Sequence, residues 1–102
     1  MATLVTSANF ESEVLKHSGR VLVDFYTDSC SPCRYMNPII DELAMDRPNL
    51  KIVKIDAAED AELGAQFRVM GVPTFLLFDN GQVQKQITGS RSKKEFAAWL
   101  DT

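Results

Sequence analysis

Apolar and polar positions along this chain follow two periods, and the places where the period changes mark out the elements. Thr3 to Thr6 is a short β-type run. Phe10, Val14 and Leu15 then recur at helical spacing behind Asn9, which is placed to cap a helix that Gly19 closes. Val21-Leu22-Val23-Asp24-Phe25-Tyr26 is nearly all apolar, the pattern of a strand covered on both faces. From about Pro32 the helical period returns, with Met36, Ile39, Ile40 and Leu43 as one buried stripe, and Pro48-Asn49 ends that element. Pro32 suits a first turn, where its missing N–H has no intrahelical use; Pro38 falls inside the helix and predicts a kink.

Lys51-Ile52-Val53-Lys54-Ile55 predicts a third strand, Ala57 to Phe67 a mostly helical segment, and Gly71-Val72-Pro73 a loop. Thr74–Phe78 and Gln82–Ile87 flank Asp79-Asn80-Gly81, and an Asn-Gly between such runs is a strong hairpin signal. Gly89 breaks the last strand, and Ser92 caps an amphipathic helix with Phe96, Trp99 and Leu100 inward. The predicted order is βαβαβαββα. Early strand–helix–strand alternation implies parallel pairing through right-handed crossovers, and the closing hairpin adds antiparallel strands. The expected class is therefore α/β, a mixed central sheet with helices on both faces.

Composition narrows this picture without changing it. With 102 residues the chain is expected to form a single domain over residues 1–102, and 45% hydrophobic residues suffice for a core. A net charge of −3 with interleaved signs gives no basic stripe for nucleic acid. No apolar run approaches the roughly 20 residues of a membrane span, and Met1 to Ser7 has no charged-then-apolar signal pattern. The expectation is a cytoplasmic monomer. Two cysteines fall short of a closed zinc site, and the single His17 lies in a polar stretch without a ligand partner at helical spacing.

Those two cysteines, Cys30 and Cys33, carry the candidate chemistry. At i and i+3 on a first helical turn they share a face, roughly 5–6 Å apart and within reach of a disulfide. A strand that delivers them to a helix N-terminus places the first thiol where backbone N–H groups and the helix dipole favour thiolate. In a reducing compartment such a pair points to redox chemistry rather than to a structural crosslink. Asp24 is anomalous inside an apolar strand. An isolated buried carboxylate is costly and its pKa rises, whereas a strand-end Asp reaching solvent, or one paired with a lysine, would be unremarked.

The order of elements, the Cys30-Ser31-Pro32-Cys33 motif after Val23-Asp24-Phe25, Pro38, Lys54, Gly71-Val72-Pro73-Thr74, Asn80-Gly81 and Gly89 together resemble the thioredoxin family over essentially the whole chain. The resemblance implies the thioredoxin fold and protein-disulfide reduction by thiol–disulfide exchange, with Cys30 as nucleophile and Cys33 as resolving thiol, the more buried of the two. It implies Asp24 as the base serving Cys33, with Lys54 near it on the neighbouring strand. It also implies a cis bond before Pro73, and a docking surface formed by Ser29, Ser31, Pro32, Gly71, Val72, Pro73 and Gly89. No bound cofactor is expected beyond the reversible Cys30–Cys33 disulfide, and the expected partners are disulfide-containing proteins and an electron-supplying reductase. Arg34 reads as a solvated arginine, Tyr35 as a rim residue and Met36 as core. Three positions depart from the family pattern: Ser29 and Tyr26 stand where Trp is usual, and Ser31 where Gly is usual. These bear on substrate preference, reduction potential and reductase recognition. An oxidase or isomerase of the same fold, or an accessory binding module with incidental thiols, is the competing reading.

Overall fold

A computed structural model describes residues 2–102. Its strands are β1 (Thr3–Leu4), β2 (Arg20–Tyr26), β3 (Lys51–Asp56), β4 (Thr74–Asp79) and β5 (Gln82–Thr88), and its helices α1 (Ser31–Met45), α2 (Ala61–Gln66) and α3 (Lys93–Asp101). The sheet order is β1-β3-β2-β4-β5, parallel for β1–β3 and β2–β3, antiparallel for β2–β4 and β4–β5. This is the mixed sheet that the element order predicts. β2 lies at its centre, which is why its sequence is apolar on both faces.

Alternation along the central strands divides the core. Val21, Val23 and Phe25 join Val53, Ile55, Leu76 and Phe78 against Phe10, Val14 and Leu63 on one side. Leu22, Ile52, Phe75 and Leu77 meet Met36, Ile40, Leu43, Phe96 and Leu100 of α1 and α3 on the other. Asp24 and Lys54 fall on this second side by parity, since each lies two residues from one of its members. Phe75 and Phe96 pack edge to face with ring centroids 4.8 Å apart.

The Asn80-Gly81 turn has positive φ at both residues, 51° and 82°, as a two-residue hairpin demands. Its tip is pinned to the start of β2: Gly19 N–H donates to Asn80 Oδ1 at 2.8 Å, and Asn80 N–H to Gly19 O at 3.0 Å. Ser92 and Glu95 form a reciprocal capping box at the start of α3.

Local expectations are corrected at four places. The segment after β1 is a single wide helical turn, Glu11–Leu15, closed by Lys16 N–H to Glu11 O at 2.9 Å, and Leu15 is exposed. Asn9 does not cap it; its Oδ1 accepts from Thr6 N–H at 2.8 Å and tightens the preceding turn instead. The helix after β3 spans only Ala61–Gln66, because Asp56 folds residues 57–60 into a turn by accepting from Ala58 N–H at 2.9 Å, and Asp60 caps what remains. Trp99 is half-buried: its ring lies 5.4 Å from Phe96 but flanks the core instead of entering it.

Candidate active site

β2 leaves the sheet at Tyr26, and after a three-residue loop Cys30 becomes the N-cap of α1. Its backbone is extended, at φ −89° and ψ 105°, while Ser31 already belongs to the helix. Sulfur here takes the place of a capping oxygen: Cys30 Sγ accepts from Cys33 N–H at 3.1 Å. The two cysteines form a disulfide with Cα atoms 5.2 Å apart, the separation their spacing predicts. Cys30 is 9% exposed and Cys33 5%, so the expected difference in burial is small in the oxidised form.

Arg34 is not simply solvated. Its guanidinium donates to Asp28 O at 2.7 Å and to Ser31 Oγ at 2.9 Å, tying the loop before Cys30 to the first turn after it. Ser29 is exposed in that loop. Ser31, Pro32 and the exposed Tyr35 line a groove of about 420 Å³ whose opposite wall is Ser90, Arg91 and Ser92. Met36, fully buried, accepts from Arg91 N–H through Sδ at 3.4 Å and holds that wall against α1.

The Val72–Pro73 peptide is cis. Phe25 and Thr74 are register partners, so the loop ahead of β4 and the loop after β2 emerge at the same end of the sheet. Gly89 N–H donates to Pro73 O at 2.8 Å, and Thr74 Oγ1 donates to Gly71 O at 2.6 Å, which holds Gly71-Val72-Pro73 in shape. Gly71 is exposed, Val72 half-buried and Pro73 buried.

Asp24 is 3% exposed, and its Oδ1 has no hydrogen-bond partner among the described residues. Of the readings open in the sequence, this removes the solvated strand-end aspartate. Burial pushes the carboxyl from 3.8 up to about 6, with the Lys54 charge pulling it part of the way back. Lys54 is directly opposite Asp24 in the parallel β2–β3 register. Its ammonium, however, donates to Asn37 Oδ1 at 3.0 Å and stands 4.8 Å from the centre of the Tyr26 ring. Asp24, Lys54 and Asn37 line one cavity of about 260 Å³ with Ile40, Asp41 and Ile52.

The residues singled out in the sequence thus gather at one end of the sheet and in the cavity behind α1. Asn37 was not among them, and Arg34 and Tyr26 were noted without a part in the site. The spacing held a signal for Asn37, which lies four residues after Cys33 and so on the same helical face. Among the described residues, no group of three or more His, Cys, Asp or Glu side chains is placed to hold a metal ion, and no helix is long and apolar enough to cross a membrane.

Comparison with known proteins agrees with this geometry. The family model described as Thioredoxin matches residues 1–102. A thioredoxin of Pseudomonas aeruginosa is 41% identical over 98 residues, covering 95% of this chain and 91% of the relative. A thioredoxin of Rickettsia bellii is 37% identical over 102 residues, covering 99% and 97%. A bifunctional thioredoxin reductase/thioredoxin of Mycobacterium leprae is 38% identical over 90 residues, which is 87% of this chain and 20% of that protein. With a redox disulfide at the helix N-terminus and these relatives along its length, the chain belongs to the thioredoxin family and is a dithiol–disulfide oxidoreductase.

Proposed function

We propose that this protein is a single-domain cytoplasmic monomer that reduces disulfides of other proteins, with Cys30 attacking and Cys33 resolving. The observation that carries the assignment of roles is the Cys33 N–H bond to Cys30 Sγ at 3.1 Å, at a helix N-terminus. Once the pair is reduced, that donor and the dipole stabilise negative charge on Cys30, and only the thiolate attacks a disulfide. Cys30 forms a mixed disulfide and releases one substrate thiolate. Cys33 then gives its proton to the Asp24 carboxylate and attacks Cys30 Sγ, which forms the intramolecular disulfide and expels the second substrate thiolate. Two electrons pass to the substrate; the two expelled thiolates take protons from Asp24 and from solvent. A carboxyl held near 6 suits this exchange at neutral pH, because it is mostly ionised and still basic enough to take a thiol proton. Lys54 is assigned to setting that basicity.

Gly71, Val72, Pro73 and Gly89, with Ser29, Ser31 and Pro32, are assigned to docking an extended substrate segment beside the sulfurs. An open main-chain edge recognises peptides of many sequences. No bound cofactor is needed for these steps, since the electrons reside in the cysteine pair. The reducing equivalents come from a reductase, and the Mycobacterium leprae relative, whose name joins a thioredoxin reductase to a thioredoxin, supports a reductase of that kind.

Brief substoichiometric alkylation of the reduced protein at neutral pH, followed by mass mapping, tests the roles. Modification is expected first at Cys30, and Cys33→Ser is expected to accumulate a mixed disulfide through Cys30. Predominant labelling of Cys33 would reverse the assignment.

A further inference from the structure

Lys54 and Asp24 are nearest partners across β2 and β3, and both side chains leave the same face of the sheet. A lysine on a flexible four-carbon stem beside a buried carboxylate is drawn to pair with it, since their attraction grows as the local dielectric falls. The structure shows a different arrangement. Lys54 Nζ is held 3.0 Å from Asn37 Oδ1 and over the Tyr26 ring, while Asp24 Oδ1 stays without a partner. Asn37 comes from α1, one turn beyond Cys33 on the same helical face, and forms part of the wall of the cavity that Asp24 also lines.

We propose that Asn37 is a positioning residue for the exchange reaction: its side-chain oxygen, with the Tyr26 ring, keeps the Lys54 ammonium in an outer position, close enough to attract the Asp24 carboxylate but not to pair with it. Asn37 touches neither sulfur nor substrate and acts through Lys54. A direct ion pair would lower the basicity of Asp24, as an opposite charge in contact does. Held at the outer position, Lys54 offsets part of the burial penalty and leaves the carboxylate free to accept a proton. The other charged groups around this arrangement are Asp41 on α1, which lines the same cavity, and Asp28 and Asp56 beside Tyr26. The β4 neighbour of Asp24, Phe75, is apolar, and Cys30 and Cys33 carry no charge while they form the disulfide.

The inference deepens the proposed role of Asp24 as proton acceptor, and its test separates the two. In Asn37→Ala the ammonium loses its neutral acceptor and closes on Asp24. The ionisation midpoint of the Asp24 carboxyl, followed by carbon-13 NMR in the oxidised full-length protein, is expected to fall by about one pH unit. The double variant Asn37→Ala/Lys54→Met is expected to show no such fall relative to Lys54→Met alone, because the effect runs through the lysine. Asn37→Asp, which keeps an acceptor for the ammonium, is expected to leave the midpoint at or above its original value. A midpoint unmoved in Asn37→Ala, or a fall of the same size without Lys54, would overturn the proposal. Single-turnover resolution of a mixed disulfide across pH reads the other question. If the midpoint falls and the pH profile of resolution does not follow, Asn37 positions Lys54 as stated and Asp24 is not the proton acceptor.

Discussion

An aspartate near the middle of β2 costs stability in proportion to how far burial displaces its ionisation. Asp24 is almost fully buried, and its pKa rises from 3.8 to about 6. The folded protein therefore holds this proton more tightly than the unfolded chain does. Below about pH 4 both states are protonated and the residue carries no ionisation cost. As pH rises from there through 6 the unfolded state has already lost the proton, so stability falls, and above 6 the full cost persists. A displacement of about two pH units corresponds to on the order of 3 kcal/mol at neutral pH. Asp24→Asn is expected to be more stable than the parent by about 1–3 kcal/mol at pH 7.5, the amide retaining part of the burial cost, and to lose that advantage at pH 4. Urea unfolding at the two pH values checks it; an equal or lower stability at pH 7.5 would make Asp24 a structural partner. The same substitution is expected to slow resolution of a mixed disulfide.

Gly19 and Gly81 show how one residue type acts differently within two elements. Both have positive φ, at 100° and 82°, so alanine at either meets the left-handed penalty of about 1–2 kcal/mol. Gly19 faces open space, whereas a Cβ on Gly81 would overlap the carbonyl oxygen of Leu15 in the wide turn packed under the hairpin. Gly81→Ala is therefore expected to lose more stability than Gly19→Ala, by at least about 1 kcal/mol, because backbone must move. Comparing denaturation midpoints decides it, and equal losses would show that the 11–15 turn yields freely. The Asn-Gly hairpin itself was legible because its geometry is local to two residues. The helix after β3 was overextended because Asp56 and Asp60 compete for backbone N–H groups, and which of several such acceptors wins is settled by the surrounding structure.

For the molecule as a whole, recognition depends on the rim around the disulfide. Ser29 stands exposed at the position where the family resemblance implies a large aromatic, while Tyr35 and Met70, the latter 95% exposed, supply apolar surface elsewhere on this end. Replacing the serine with tryptophan adds roughly 50–100 Å² of docking surface, worth about 1–2.5 kcal/mol by area and less in practice, since area converts poorly to affinity. Ser29→Trp is expected to raise kcat/KM for a generic protein disulfide by about three- to tenfold with a chemical reductant held constant. An unchanged or lower value would show that the serine is adapted to particular partners or that Tyr35 and Met70 already form the platform.

The sequence alone determined the order of elements, the burial of β2 on both faces, the hairpin and the cysteine pair at the head of a helix. Each of these is written in short-range terms: a hydrophobic period, a two-residue turn, an i to i+3 spacing. It also marked Asp24 as anomalous, but left open whether that residue was solvated, paired with a lysine or buried alone. Only the tertiary structure decided this, by setting Lys54 opposite Asp24 across the strands and then drawing its ammonium to Asn37 and Tyr26. Those three partners come from β3, α1 and β2, separated along the chain by a helix and a loop. The charge balance at the buried carboxyl depends on distances between them, and such distances exist only after the elements have packed.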